Sequence, residues 1–280
     1  MSHDELGVIF DGLADPLQPV VAVALSSTCL GLRTPLLAAL EVLKERHVRA
    51  VALCRKVRMS CAELRDAEEL DWSRKGLAAY DVATLGMILR TNGLPRLQRL
   101  VLISNGFGDA GMQALCEGLG HGAAPSLRTL ALTSNHFGPV GAEALAVALR
   151  RGAMPNLEQL LIHCNPIGKQ GVAALAAPLR KLPSLKTLGL VQCFEIGDEG
   201  MASLFANLGK DDFKKLETLF IAKNNITDAG MITLAAALDA GRLTRLRDQT
   251  DDFDQYFLQR NPASASAIQA VRDALAKRSE

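Results

Sequence analysis

Aromatic side chains are scarce in this chain: nine Phe, two Tyr and one Trp among 280 residues. Any core must therefore be aliphatic, and Leu and Ala are abundant enough to build one. No uninterrupted run of eighteen apolar residues occurs, which excludes a membrane-spanning helix and direct membrane insertion. Charge of one sign is also lacking. With 31 Lys and Arg against 30 Asp and Glu, the formal charge is +1. A broad basic face for nucleic acid is not expected from that balance. The opening MSHDELGVIF has no basic segment ahead of an apolar one, so no secretory leader is visible. The expected compartment is intracellular, the cytoplasm, and an organelle interior after transit-peptide removal is compatible with the same sequence.

Signals of chemistry are equally thin. The cysteines at 29, 54, 61, 116, 164 and 193 form no CxxC and have no His at metal spacing, so free thiols and no metal site are expected. His163 adjoins Cys164, but no third group orients the pair. A P-loop and a GxGxxG following a strand are both missing. No catalytic residue, cofactor or small-molecule substrate is expected, and the chain reads as a non-enzyme.

What is present is repetition. LQRLVLISNGFGDAGMQAL from 97, LRTLALTSNHFGPVGAEAL from 127 and LEQLLIHCNPIGKQGVAAL from 157 align without gaps. LKTLGLVQCFEIGDEGMASL from 185 and LETLFIAKNNITDAGMITL from 216 continue them. The shared frame is L-x-x-L-x-L-x-x-N-x-[IF]-G-x-x-G-x-x-x-L, with Cys193 in the Asn position of one copy and one residue added after it. In L-x-L the leucines face one side of a short strand and the residues between them face the other. The Asn marks a turn, where its side chain can satisfy backbone groups that stacking would bury unpaired. GMQALCEGL then carries Met112, Leu115 and Leu119 at helical spacing. Asp109, Asp198 and Asp228 fall near helix starts, where carboxylates satisfy orphan amides. Glycines 111, 141, 171, 200 and 230 are expected to let helix and strand layers approach closely.

Five consecutive copies of this frame resemble the leucine-rich repeat family, in its long-repeat subfamily typified by ribonuclease inhibitor, NOD-like receptors and the Ran GTPase activator. The resemblance implies an α/β solenoid, a horseshoe with a parallel sheet on its concave side and helices on the convex side. Extended outward, the frame accepts VVAVALSSTCLG (20–31), VRAVAL (48–53) and AEELDWSRKGL (67–77). It also accepts FDQYFLQRNPAS (253–264), with Phe253, Tyr256 and Leu258 as leucines and Asn261 as the Asn. About nine strand units are then expected. Residues 1–19 form an N-terminal cap, 20–252 the repeats with a short irregular unit at 48–66, and 253–280 a degenerate final repeat and capping helix.

The strand residues between the leucines are expected to form the binding face. Arg99, Val101, Ile103, Gln159, Leu161, His163, Val191, Phe220 and Phe257 stand in its columns, giving an apolar-to-neutral surface for another protein. A secondary surface is the basic segment Arg55, Lys56, Arg58, opposed at the far end by Asp248, Asp251, Asp252 and Asp254. The expected function is a non-catalytic interaction scaffold or adaptor, acting alone or as a subunit of a larger assembly. The alternative, by resemblance to the Ran activator, is a regulator of a small GTPase. That family carries an acidic region after its repeats, whereas this sequence ends ALAKRSE and places its acidic cluster inside the last insertion.

Overall fold

The structure is a computed structural model that describes residues 15–28, 30–91, 94–120, 124–247 and 257–277. Its elements in chain order are α1 (Val20–Thr28), α2 (Leu30–Val57), α3 (Cys61–Asp66), β1 (Glu69–Asp71), α4 (Ala79–Arg90), β2 (Arg99–Val101), α5 (Gly108–Gly118) and β3 (Thr129–Ala131). Then follow α6 (Pro139–Arg150), β4 (Gln159–Leu161), α7 (Gly168–Arg180), β5 (Thr187–Gly189), α8 (Gly197–Phe205), β6 (Thr218–Phe220), α9 (Asp228–Asp239) and α10 (Ala265–Ala276). The strands form one parallel sheet in the order β1-β2-β3-β4-β5-β6. Register follows the repeat frame without slippage: Leu70, Leu100, Leu130, Leu160, Leu188 and Leu219 lie side by side. Each crossover carries one helix, and right-handed crossovers place all of them on the same face. A helix is about 10 Å wide and a strand about 4.8 Å, so stacking them one to one puts the sheet inside an arc.

The core lies between the layers. The sheet leucines, the Phe or Ile after each turn (Phe107, Phe137, Ile167, Ile196, Ile226) and the helix residues Met112, Leu145, Leu175, Met201 and Leu234 are buried in one continuous cluster. Each such side chain contributes about 2 kcal/mol by leaving water.

The Asn positions form a hydrogen-bonded ladder along the turns. Asn105 Nδ2 donates to the carbonyls of Trp72 and Leu102, and its Oδ1 accepts from the amides of Lys75 and Leu77. Asn135, Asn165 and Asn224 repeat the pattern. The residue before each rung is left-handed, from Arg74 (φ 55°) through Ser104, Ser134, Cys164, Gln192 and Lys223 to Arg260 (φ 58°). Cys193 occupies one rung as a weaker substitute, its thiol 3.5 Å from the Ile162 carbonyl.

Three local expectations change. The two strands placed at 20–31 and 48–53 are helical, in α1 and α2, and the described sheet has six strands rather than nine. VRAVAL reads as alternation only in a six-residue window. Across the whole helix, Leu40, Leu43, Ala50, Leu53, Cys54 and Val57 are buried at three- and four-residue spacing. The end of α2 and Leu64 of α3 thereby cover the first repeat's side of the core. Residues 1–14 of the expected N-terminal cap lie outside the described residues, as do Phe253 and Tyr256.

At the C-terminal end the ladder continues past β6. Ile221 N–H donates to the Phe257 carbonyl at 3.0 Å, and Asn261 Oδ1 accepts from Asn224 N at 2.8 Å. Asn261 is therefore a rung, as its place in the frame predicts. Ser264 caps α10, which buries Val271 and Leu275.

The aspartates act across repeats rather than on their own helices. Asp109 Oδ1 accepts from Gly138 N (2.8 Å) and Gly141 N (2.7 Å) at the start of α6. Asp198 does the same for Thr227 and Gly230, and Asp228 for Ser264. The repeated glycines are explained by the same crowding. A Cβ at Gly141 would stand 2.8 Å from both Asp109 Oδ1 and Phe137 Cβ.

Candidate protein-interaction face

The sheet face turned away from the helices carries two columns from the strands and a third from the residues just after them. The first runs Glu69, Arg99, Thr129, Gln159, Thr187, Thr218 and the second Asp71, Val101, Ala131, Leu161, Gly189, Phe220. Parallel in-register pairing sets these side chains about 4.8 Å apart, so neighbours shade one another. Arg99 and Gln159 are exposed, whereas Ile103, Leu161, His163 and Phe220 are half-buried. Val101 is 2% exposed, Val191 7% and Phe257 0%, so these three add almost no accessible surface. The accessible apolar strip expected from the sequence is correspondingly narrower, and it does not reach the C-terminal end through Phe257.

What remains is centred on a glycine. A Cβ at Gly189 would lie 2.4 Å from His163 Cε1, 2.5 Å from His163 Nε2 and 2.9 Å from Leu161 Cδ2. The space a side chain would take at Gly189 is filled by two side chains of the preceding repeat. Phe220 closes the other side, its ring centroid 6.1 Å from that of His163 and tilted by 52°. Leu161 and His163 of one repeat and Phe220 from two repeats on thus form one patch across Gly189 of the repeat between them. In sequence, Gly189 takes its place in the column without being recognised as the organiser of the patch. The signal was the lone glycine in a column otherwise filled by Asp, Val, Ala, Leu and Phe.

His163 is neutral within this patch. Its Nδ1 accepts the Val191 N–H at 3.0 Å, which an imidazolium could not do. Burial pushes its pKa down from 6.5 to about 4. Native His163 therefore refuses a proton that the unfolded chain accepts below pH 6.5. Stability should fall as pH drops from about 6.5 towards 4 and level off below that, by about 2–3 kcal/mol in all. Denaturant titrations at pH 7 and pH 5 check this against His163→Gln, which keeps an acceptor and does not titrate. The variant should lose less stability than the wild type over that interval.

At the strand entrances the charges are spent between repeats. Glu158 accepts from Arg128 at 2.5 Å and from Lys186 at 2.7 Å, one from each neighbouring unit. The bond from Lys186, with that from Arg128, holds the Glu158 carboxyl below the usual carboxylate range. Of the basic segment, Lys56 is committed to Asp81 at 2.6 Å, a carboxylate only 1% exposed, while Arg55 and Arg58 face solvent. Asp248, Asp251, Asp252 and Asp254 lie outside the described residues.

A family model described as Leucine Rich repeat matches residues 95–116, 123–146 and 214–235. These segments contain β2, β3 and β6, each with the first two turns of the helix that follows, α5, α6 and α9. The chain carries leucine-rich repeats. The intervening copies at 157 and 185 share the register and the ladder, so the leucine-rich repeat array is continuous from β1 to β6. No match was found among curated proteins. Leucine-rich repeat domains generally mediate protein–protein interaction. Among the described residues, no His, Cys, Asp or Glu cluster is arranged to hold a metal, and no helix is long and apolar enough to cross a membrane.

Proposed function

We propose that this protein is a non-catalytic interaction scaffold that binds another protein on the open face of its sheet, centred on Leu161, His163 and Phe220. The observation that carries the reading is the half-buried patch around Gly189, built by three repeats and bordered by exposed Gln159. A neutral His and two apolar side chains on a rigid sheet suit an apolar segment of a partner, since little ordering entropy is lost on docking. Arg99 stands exposed two strands away and supplies a charged rim.

The test is affinity purification from the source cell with wild type and with Leu161→Asp plus Phe220→Asp. At least one stoichiometric partner should be recovered with the wild type and lost, about tenfold or more, with the double variant. Circular dichroism and the melting temperature must show the variant folded. Equal recovery of every partner by a folded variant overturns the assignment to this face.

A further inference from the structure

Cys54, in the last turn of α2, and Cys61, the first residue of α3, bring their sulfurs to 3.6 Å of each other. The approach is held by the backbone on both sides of a tight corner. Met59 N–H donates to the Cys54 carbonyl at 2.9 Å, and Arg58 is left-handed at φ 62°. Ser60 and Glu63 form reciprocal bonds that fix the first turn of α3. Cys54 is 2% exposed while Cys61 is partly open to solvent. A disulfide bond is about 2.05 Å long, so the sulfurs need approach by only about 1.5 Å. The corner between them is short and carries the exposed Arg58 and Ser60, so it can absorb that movement.

We propose that Cys54 and Cys61 are a redox modification site, closing to a reversible disulfide when the chain meets hydrogen peroxide. The division of labour follows from exposure. The Cys61 thiolate attacks one peroxide oxygen; the O–O bond breaks, a sulfenic acid forms and the other oxygen leaves as water after taking a proton. Cys54 sulfur then attacks the Cys61 sulfur. The S–S bond forms, the S–O bond breaks, and the departing hydroxide takes the Cys54 proton as a second water. Two thiols are oxidised and one peroxide is reduced to two waters. Burial, with the adjoining Cys61 thiol, pushes the Cys54 thiol up to about 12, in keeping with a resolving rather than a peroxide-sensing role. The bond would tie α2 to α3 where both cover the first repeat.

The experiment treats the full chain with a slight excess of hydrogen peroxide, blocks free thiols under denaturing conditions and maps the peptides by mass. The expected product is a linked 54–61 pair, two hydrogens lighter than the reduced peptides and restored by dithiothreitol. Its urea midpoint should be higher than that of the reduced chain. Cys61→Ser should abolish both changes. Cys54→Ser, if folded, should leave Cys61 as a sulfenic acid that a 1,3-diketone traps. Recovery of both thiols free, linkage of Cys61 to any other cysteine, or passage of Cys61 to sulfinic acid with Cys54 untouched overturns the proposal.

Discussion

Asn135→Ala is expected to cost about 4 kcal/mol and to uncouple the two halves of the array. The side chain is fully buried and makes four bonds at 2.9–3.1 Å: Oδ1 accepts from Asn105 N and Gly106 N, and Nδ2 donates to the carbonyls of Leu102 and Leu132. Truncation leaves the Asn105 and Gly106 amides without partners and takes one of two bonds from each carbonyl, which keep those from Asn105 and Asn165 Nδ2. Each unmade buried bond costs roughly 1–3 kcal/mol, less what a trapped water recovers. In a solenoid the damage falls on a single interface between neighbours, so unfolding should lose cooperativity as well as midpoint. Urea titrations followed by far-ultraviolet circular dichroism read both. Asn261→Ala is the comparison. The same four groups are engaged there, but Asn261 is half-buried at the end of the ladder and water can replace it, so about 1 kcal/mol is expected. Equal losses at the two positions would show that burial does not govern the ladder's strength.

Gly118→Ala should be nearly as damaging, against the direction of helix propensity. Alanine in a helix gains up to about 1 kcal/mol over glycine. A Cβ at Gly118, however, would lie 2.0 Å from the Gly86 carbonyl oxygen and 2.4 Å from Gly86 Cα. The obstacle is backbone, so no rotamer change relieves it. Helices α4 and α5 would have to part by more than 1 Å along their contact, and overpacking of that kind costs about 3 kcal/mol. Gly86 meets α5 in the same way, with its virtual Cβ 2.7 Å from the Ala114 carbonyl oxygen. Gly120→Ala provides the control, because nothing stands within 4 Å of its Cβ position. Melting temperatures of the two variants separate close approach from a general effect of glycine replacement. A fall in Gly120→Ala as large as that in Gly118→Ala contradicts the packing argument.

Much of the fold is legible in the chain because a repeat states its own grammar. Leucines two apart specify a strand face, and an Asn three residues after the last leucine specifies a turn. Five copies make the register unavoidable, since a slip of one residue would turn every leucine outward. That is why Asn261 could be placed from its position alone, although its repeat is degenerate. The ends were harder. VRAVAL satisfies a strand template and a helix template equally well over six residues, and only the burial of Leu43, Leu53 and Val57 along one stripe decides for the helix. The candidate face was legible as columns but not as a surface. Val101 and Leu161 occupy equivalent strand positions, yet one is buried and the other half-buried. Their difference comes from neighbours in adjacent repeats.

The same division holds for the aspartates and the cysteines. Sequence places Asp109 near the start of α5, and only the stacking shows that its carboxylate serves α6. Cys54 and Cys61 are seven residues apart in the chain, a spacing that carries no message until the corner at Arg58 brings the sulfurs together. By itself, then, the sequence determined the strand, turn and helix of each repeat, because those depend on residues a few positions apart. The tertiary structure alone decided what lies between repeats: which side chain fills the space at Gly189, which helix a carboxylate caps and which apolar residues stay open to a partner. Those are contacts between residues about thirty positions apart, and side-chain volume in three dimensions, rather than local pattern, sets them.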